Sequence, residues 1–138
     1  MAVGFQVKYF WYSVGNGDFL HAFFSTIAYN LENSSWGSKF PCIMNELYQG
    51  EIPPEKAKKA LSELKKIKKG LRKFSADKVV WDIEDLSQRP PWGDDISTDI
   101  TNLSNYFVTS EGEDLIEVLK LALEMSIETN HPIKIESL

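Results

Sequence analysis

Six carboxylic acids fall between Asp82 and Asp99: Asp82, Glu84 and Asp85 directly after Trp81, and Asp94, Asp95 and Asp99 after Trp92. Paired carboxylates can hold Mg²⁺ or Ca²⁺, or share acid and base roles between them. Here, however, the spacing follows no calcium-binding loop, and no histidine stands close enough to complete a transition-metal set. Two readings carry more weight. In the plainer one this is a solvated loop whose aspartates form turns and caps. In the other, the indoles and the negative charge beside them serve as anchors and steering charges of a protein interface. The second reading makes Trp81, Asp82, Asp85, Trp92, Asp94, Asp95 and Asp99 candidate partner contacts. A competing structural view places Trp81 and Trp92 in the core.

Nucleophilic catalysis needs a base beside a serine or cysteine. The two histidines are His21, inside an apolar helical stretch, and His131, before the last apolar run, and neither belongs to a nucleophile motif. His21 precedes Phe23 and Phe24 and reads as a helix residue at the edge of the core. Cys42, between Pro41 and Ile43, reads as a small buried hydrophobe. As the single cysteine it permits no intrachain disulfide and no multi-cysteine metal site. Ser13-Val14-Gly15-Asn16-Gly17-Asp18 lacks the lysine and hydroxyl of a phosphate loop, and Asp18 would oppose a phosphate, so it reads as a plain turn into a helix. No catalytic residue and no cofactor are expected.

The net charge of −5 conceals a marked asymmetry. Between Glu55 and Lys73 nine cations face two acids, a local charge of +7, which leaves −12 on the rest of the chain. That remainder repels phosphate backbones and attracts a basic partner. The basic segment could instead be a nucleic-acid element through Lys58, Lys65, Lys69 and Arg72. Its apolar stripe and lack of interleaved aromatics favour a helix whose lysines occupy the solvent face. No run is apolar enough to span a membrane and no basic leader is apparent, so a cytoplasmic protein is expected.

The elements that must position these residues follow from periodicity. Phe5 to Ser13 alternates and reads as one strand. A helix from the Gly15–Asp18 turn to about Glu32 carries Phe19, Phe23 and Ile27 with Leu20, Phe24 and Leu31 at helical spacing. Phe40 to Met44 reads as a short strand or a helical turn ending near Gly50. From Pro53-Pro54, the residues Ala57, Ala60, Leu61, Leu64, Ile67, Leu71 and Phe74 form one helical stripe. Lys78 to Asp82 and Asn105 to Thr109 read as strands on either side of a long connection from Leu86 to Leu103. A last helix spans Asp114 to Thr129, and Ile133-Lys134-Ile135 closes the chain as an edge strand. The order predicts an α+β fold over residues 1–138: one mixed, largely antiparallel sheet of about four to five strands packed by about three helices.

Several separate segments resemble a bacterial polymorphic-toxin immunity family called immunity protein seventy. They are Gly15-Asn16-Gly17-Asp18-Phe19-Leu20-His21 with Phe23 to Ile27, Trp36-Gly37-Ser38-Lys39-Phe40-Pro41, Met44-Asn45-Glu46-Leu47-Tyr48-Gln49-Gly50, Val79 to Asp85, Pro90-Pro91-Trp92-Gly93 and Leu103 to Thr109. The resemblance covers nearly the whole chain. It implies a non-enzymatic cytoplasmic protein that binds a cognate toxin, with neither nucleic acid nor membrane as partner. A basic toxin surface would fit the acidic loop. The alternatives are a small carboxylate- or metal-dependent enzyme and a nucleic-acid binder through the basic helix 54–74.

Overall fold

The computed structural model describes residues 2–137. Four strands, β1 (Ala2–Val7), β2 (Phe10–Asn16), β3 (Glu51–Ile52) and β4 (Ile133–Ser137), form one sheet in the order β2-β1-β4-β3, with every neighbouring pair antiparallel. Three long helices accompany it: α1 (Gly17–Leu31), α2 (Pro54–Leu71) and α3 (Leu115–Thr129). The fold class is α+β, as expected, with a wholly antiparallel sheet.

The first strand expectation is corrected. Phe5 to Ser13 is not one strand but most of a hairpin that reverses at Lys8-Tyr9, pairing Val7 with Phe10 and Phe5 with Tyr12. The turn carries no glycine or asparagine; Lys8 itself takes the left-handed φ of 54°. A two-residue reversal shifts the alternation by one position, which is why Tyr9 is 83% exposed although it continues the apolar parity of Phe5 and Val7. On β1, Gly4 lets the Trp11 ring lie close: a Cβ there would come within 2.7 Å of the indole and 2.5 Å of the Tyr12 carbonyl.

The closing strand is also corrected. β4 lies inside the sheet, between β1 and the two-residue β3, rather than at an edge. Val7, Ile133 and Ile52 are successive partners across these strands, and all three are fully buried. α3 packs against the sheet and α1 adjoins it at β2, and the buried residues Leu115, Leu119, Ala122 and Leu123 of α3 share one core with Phe23, Phe24 and Ile27 of α1. The α2 stripe buries Ala57, Ala60, Leu64, Ile67 and Leu71 against α1 and α3, and its start after Pro53 suits proline in a first helical turn.

Phe40 to Met44 forms no strand. Cys42–Leu47 is a wide π-type helical segment, and Ile43, Met44 and Leu47 sit fully inside the core. Its first amides are met by a carboxylate of α2: Glu63 accepts from Cys42 N (3.2 Å) and Ile43 N (3.0 Å). The preceding loop is organised by a second buried carboxylate, Glu32, which accepts from the amides of Gly37 (2.9 Å), Lys39 (2.9 Å) and Phe40 (3.0 Å). Gly37 is required twice over, since its φ is +81° and a Cβ would strike the Asn45 side chain. Many of the residues that carry the family resemblance in this stretch thus serve architecture.

Between α2 and α3, some forty residues contain a single 3₁₀ turn, Ala76–Lys78, and one isolated bridge, Val108 with Asp114. The strands expected at Lys78–Asp82 and Asn105–Thr109 are therefore absent as ladder members. Side chains of α1 replace the missing neighbour of the first. Thr26 Oγ1 accepts from Val80 N (3.0 Å) and donates to Val80 O (3.1 Å), Asn30 donates to Lys78 O (3.0 Å), and Ser25 Oγ accepts from Ile83 N (3.2 Å).

Candidate partner-binding site

The polar residues of α1 run along one stripe at helical spacing: Asp18, His21, Ser25 with Thr26, and Asn30. Asn16 starts that helix by accepting from Phe19 N at 2.8 Å. The segment from Lys78 to Asp85 runs along the stripe in the opposite sense, its backbone bonded to Asn30, Thr26 and Ser25 in turn. Trp81 and Asp82 are thereby delivered to the N-terminal half of α1.

There Trp81, Asp82, Asp85 and Gln88 join Asp18 and His21 around a shallow depression of about 200 Å³. Asp82 Oδ1 accepts from Glu84 N (2.9 Å) and stands 3.4 Å from His21 Nε2. The other imidazole nitrogen, Nδ1, lies 3.2 Å from the Tyr48 hydroxyl. Tyr48 in turn packs edge-on against Trp36, with ring centres 4.8 Å apart, and against Phe24 at 5.1 Å. Asp85 is pinned by Ser87 (N at 3.1 Å, Oγ at 2.5 Å) and by Gln88 Nε2 (3.2 Å), and these hydrogen bonds, Ser87 foremost, hold its carboxyl below the usual range. The depression therefore presents a fixed, ionised carboxylate beside an indole.

Trp92 meets Trp81 edge to face, with ring centres 5.4 Å apart and planes at 89°. Its Nε1 donates to the Tyr106 hydroxyl at 2.8 Å, and burial pushes that phenol's pKa up. Trp92 nevertheless remains 38% exposed and lines a second depression, of about 380 Å³, with Phe19, Asp95, Ile96, Ile100 and Val108. The two touching indoles thus join the depressions. Trp81 is half-buried against the core, whereas Trp92 opens to solvent.

The seven sequence candidates do not form one cluster. Trp81, Asp82 and Asp85 share the first depression, and Trp92 and Asp95 the second. Asp94 lines a third, of about 350 Å³, beside Arg89, Asp77 and Tyr106. Asp99 borders none of these; its carbonyl accepts from Asn105 Nδ2 at 3.1 Å and its amide donates to Ser97 Oγ at 3.2 Å. Sequence reasoning missed Asp18, His21 and Tyr48 as members of the site. The available signal was the polar stripe at helical spacing on an otherwise apolar helix.

Cys42 is buried, and its thiol is pushed up to about 12 by burial first and then by the charge of Glu63. Both imidazole nitrogens of His21 already have partners, Asp82 and Tyr48. Among the described residues no group of three or more His, Cys, Asp or Glu is placed to hold a metal ion, and no helix is long and apolar enough to cross a membrane.

No curated protein and no solved structure matches the chain. A family does: residues 5–135 match the family described as Immunity protein 70, a span that takes in part or all of every strand, all three helices and the three depressions. The chain belongs to the Immunity protein 70 family.

Proposed function

We propose that this protein binds a cognate bacterial toxin in the cytoplasm of the producing cell, as one domain and without chemistry of its own, and neutralises it by occluding its active surface. The observation that carries the reading is the joined pair of depressions, where Trp81 and Trp92 touch and Asp18, Asp82, Asp85 and Asp95 surround them. Rigid aromatics flanked by charge are what interface hot spots are made of. Carboxylates fixed by local hydrogen bonds suit a lysine or arginine from a basic toxin surface, with Trp81 available to stack on its cation. Family membership supports the immunity role.

The test is co-expression with the toxin-like gene product encoded beside this protein, read as growth rescue, followed by isolation of a stoichiometric complex. Replacing Trp92, Asp94 and Asp95 together by alanine should weaken that complex while leaving the fold intact. A second variant, Asp82→Asn with Asp85→Asn, addresses the first depression. Unchanged affinity in both would remove this face from the interface.

A further inference from the structure

A different face of the molecule carries the opposite charge. Between α2 and α3 runs a groove of about 560 Å³, the most voluminous of the depressions described, and it shares no lining residue with those around Trp81 and Trp92. Its floor is apolar: Leu64 and Ile116 are buried at its base and Leu61 is half-buried. Its rim is cationic. Lys65, Lys69 and Arg72 stand exposed on the α2 side and Lys120 on the α3 side, opposed by Glu117 and Glu124. Of the five cations lining the groove, Lys68 alone is ion-paired among the described residues, to Glu117 at 3.3 Å across the two helices.

The lysines of α2 were expected to form a solvated face, and taken singly they do. The groove adds what charge alone lacks, an apolar patch of Leu61, Leu64 and Ile116 with cations beside it, and the groove as a whole runs along α2 from Leu61 to Arg72. At 1.5 Å per residue this is about 16 Å, or three helical turns. A groove of that length with an apolar base takes the apolar face of a helix, and its cationic rim selects acidic flanks on that helix. A nucleic acid fits it worse, because no aromatic side chain lines it for bases to stack on and the floor would desolvate without gain.

We propose that the α2/α3 groove is a second docking surface, which takes an acidic amphipathic helix of a partner protein by seating its apolar residues on Leu61, Leu64 and Ile116 and its carboxylates against Lys65, Lys69, Arg72 and Lys120. The proposal goes beyond toxin binding by the acidic loop and does not rest on it.

The probe is a fluorescein-labelled peptide of about fourteen residues, four helical turns, with leucine at i, i+3, i+4 and i+7 spacing and glutamate and alanine elsewhere. Its control has the same composition with the leucines dispersed around the helix, and a single-stranded oligonucleotide of similar length is the third ligand. Anisotropy titration of the intact protein should show saturable binding of the amphipathic peptide alone, weakened about tenfold or more by raising the salt several-fold. Lys65→Glu with Lys69→Glu, both exposed, should abolish it with the melting temperature unchanged. Leu61→Asn should weaken it with the salt dependence kept. Equal binding of the dispersed peptide, tighter binding of the oligonucleotide, or no binding of the amphipathic peptide would each overturn the proposal.

Discussion

Two irregular regions flank the same helix, and each is held to it in a different way. Residues 33–41 are gathered at the end of α1 by the buried carboxylate of Glu32, whose two oxygens accept three amides. The stretch from Lys78 to Asp85 is gathered along the body of α1 by neutral groups, the hydroxyls of Ser25 and Thr26 and the amide of Asn30. The carboxylates of the second region line an open depression and spend most of their local bonds on their own turns, as Asp82 does with Glu84 and Asp85 with Ser87 and Gln88, with Asp82 also 3.4 Å from His21 of α1. A carboxylate turned inward shapes backbone, while one turned outward keeps acceptor capacity and charge for a partner. The direction an acid faces, more than its presence, separates scaffold from candidate site.

The comparison breaks most visibly at Glu32. Glu32→Ala leaves the amides of Gly37, Lys39 and Phe40 buried without their acceptor, and since bonds to a charged group are the stronger kind, a loss of about 3 kcal/mol or more is expected in denaturant unfolding. Cys42 gives an independent readout in the same region. Its thiol, buried and pushed up to about 12, should resist alkylation near pH 8 in the native protein and become labelled in the variant as openings grow more frequent. If Cys42 stays protected and the unfolding midpoint unmoved, Glu32 does not hold this loop.

Thr26→Val is the matched perturbation on the other side, with nearly the same shape but no hydroxyl. It strips Val80 of both its N–H acceptor and its C=O donor, for an expected loss of about 2 kcal/mol. Hydrogen exchange should localise the effect. The amides of Val80 and Ile83 should quicken well beyond the global change, while those of β1, paired on both sides within the sheet, follow the global change only. Uniform acceleration across the chain would mean that this segment is an inseparable part of the frame.

Asp82→Asn with Asp85→Asn acts on charge while retaining an acceptor oxygen at each position. The expected stability change is within about 0.5 kcal/mol, as for surface sites generally. Association with the proposed toxin partner should slow by about tenfold at low salt, because charge at the surface acts first on encounter. An unchanged on-rate would leave these acids as turn formers, the plainer of the two sequence readings.

How much of this was legible beforehand follows the same division. The α2 helix was readable because its stripe, its Pro53-Pro54 start and its lysine face all agree. The hairpin was not, because Lys8 rather than a glycine takes the left-handed turn position and the apolar alternation runs on through the reversal. The Lys78–Asp82 segment has strand-like residues, but its backbone partners are side chains of α1, a pairing that no periodicity within the segment reveals. β4 was misplaced at an edge because strand order depends on β1 and β3, some eighty to one hundred and thirty residues away in the chain. The aspartate-rich loop stood out in composition, yet its division among three depressions depends on turns set by Asp82, Asp85 and Asn105. His21 and Tyr48 went unread because the pair is formed by packing α1 against the segment that follows Cys42–Leu47.

Asp114 gives the smallest and most specific test, an acid that is neither fully inward nor outward. It precedes α3 and bridges to Val108, with one carboxylate oxygen buried and lacking a partner. Burial raises its pKa above the ordinary 3.8, against the lowering influence of the Glu117 backbone amide first and then of Lys68. A raised folded-state pKa means that the folded protein holds this proton more tightly than the unfolded chain. The resulting contribution to stability is fully present below about pH 4 and is lost as pH rises through the folded value. Asp114→Asn keeps a side chain suited to a helix start and removes the titration. The variant's advantage over the parent in unfolding midpoint should therefore widen as pH rises from about 4 and then level off once Asp114 is ionised. A gap that is flat across that range, or one that widens toward low pH, would show that the Glu117 amide and Lys68 compensate the buried charge and would move Asp114 into the class of Glu32.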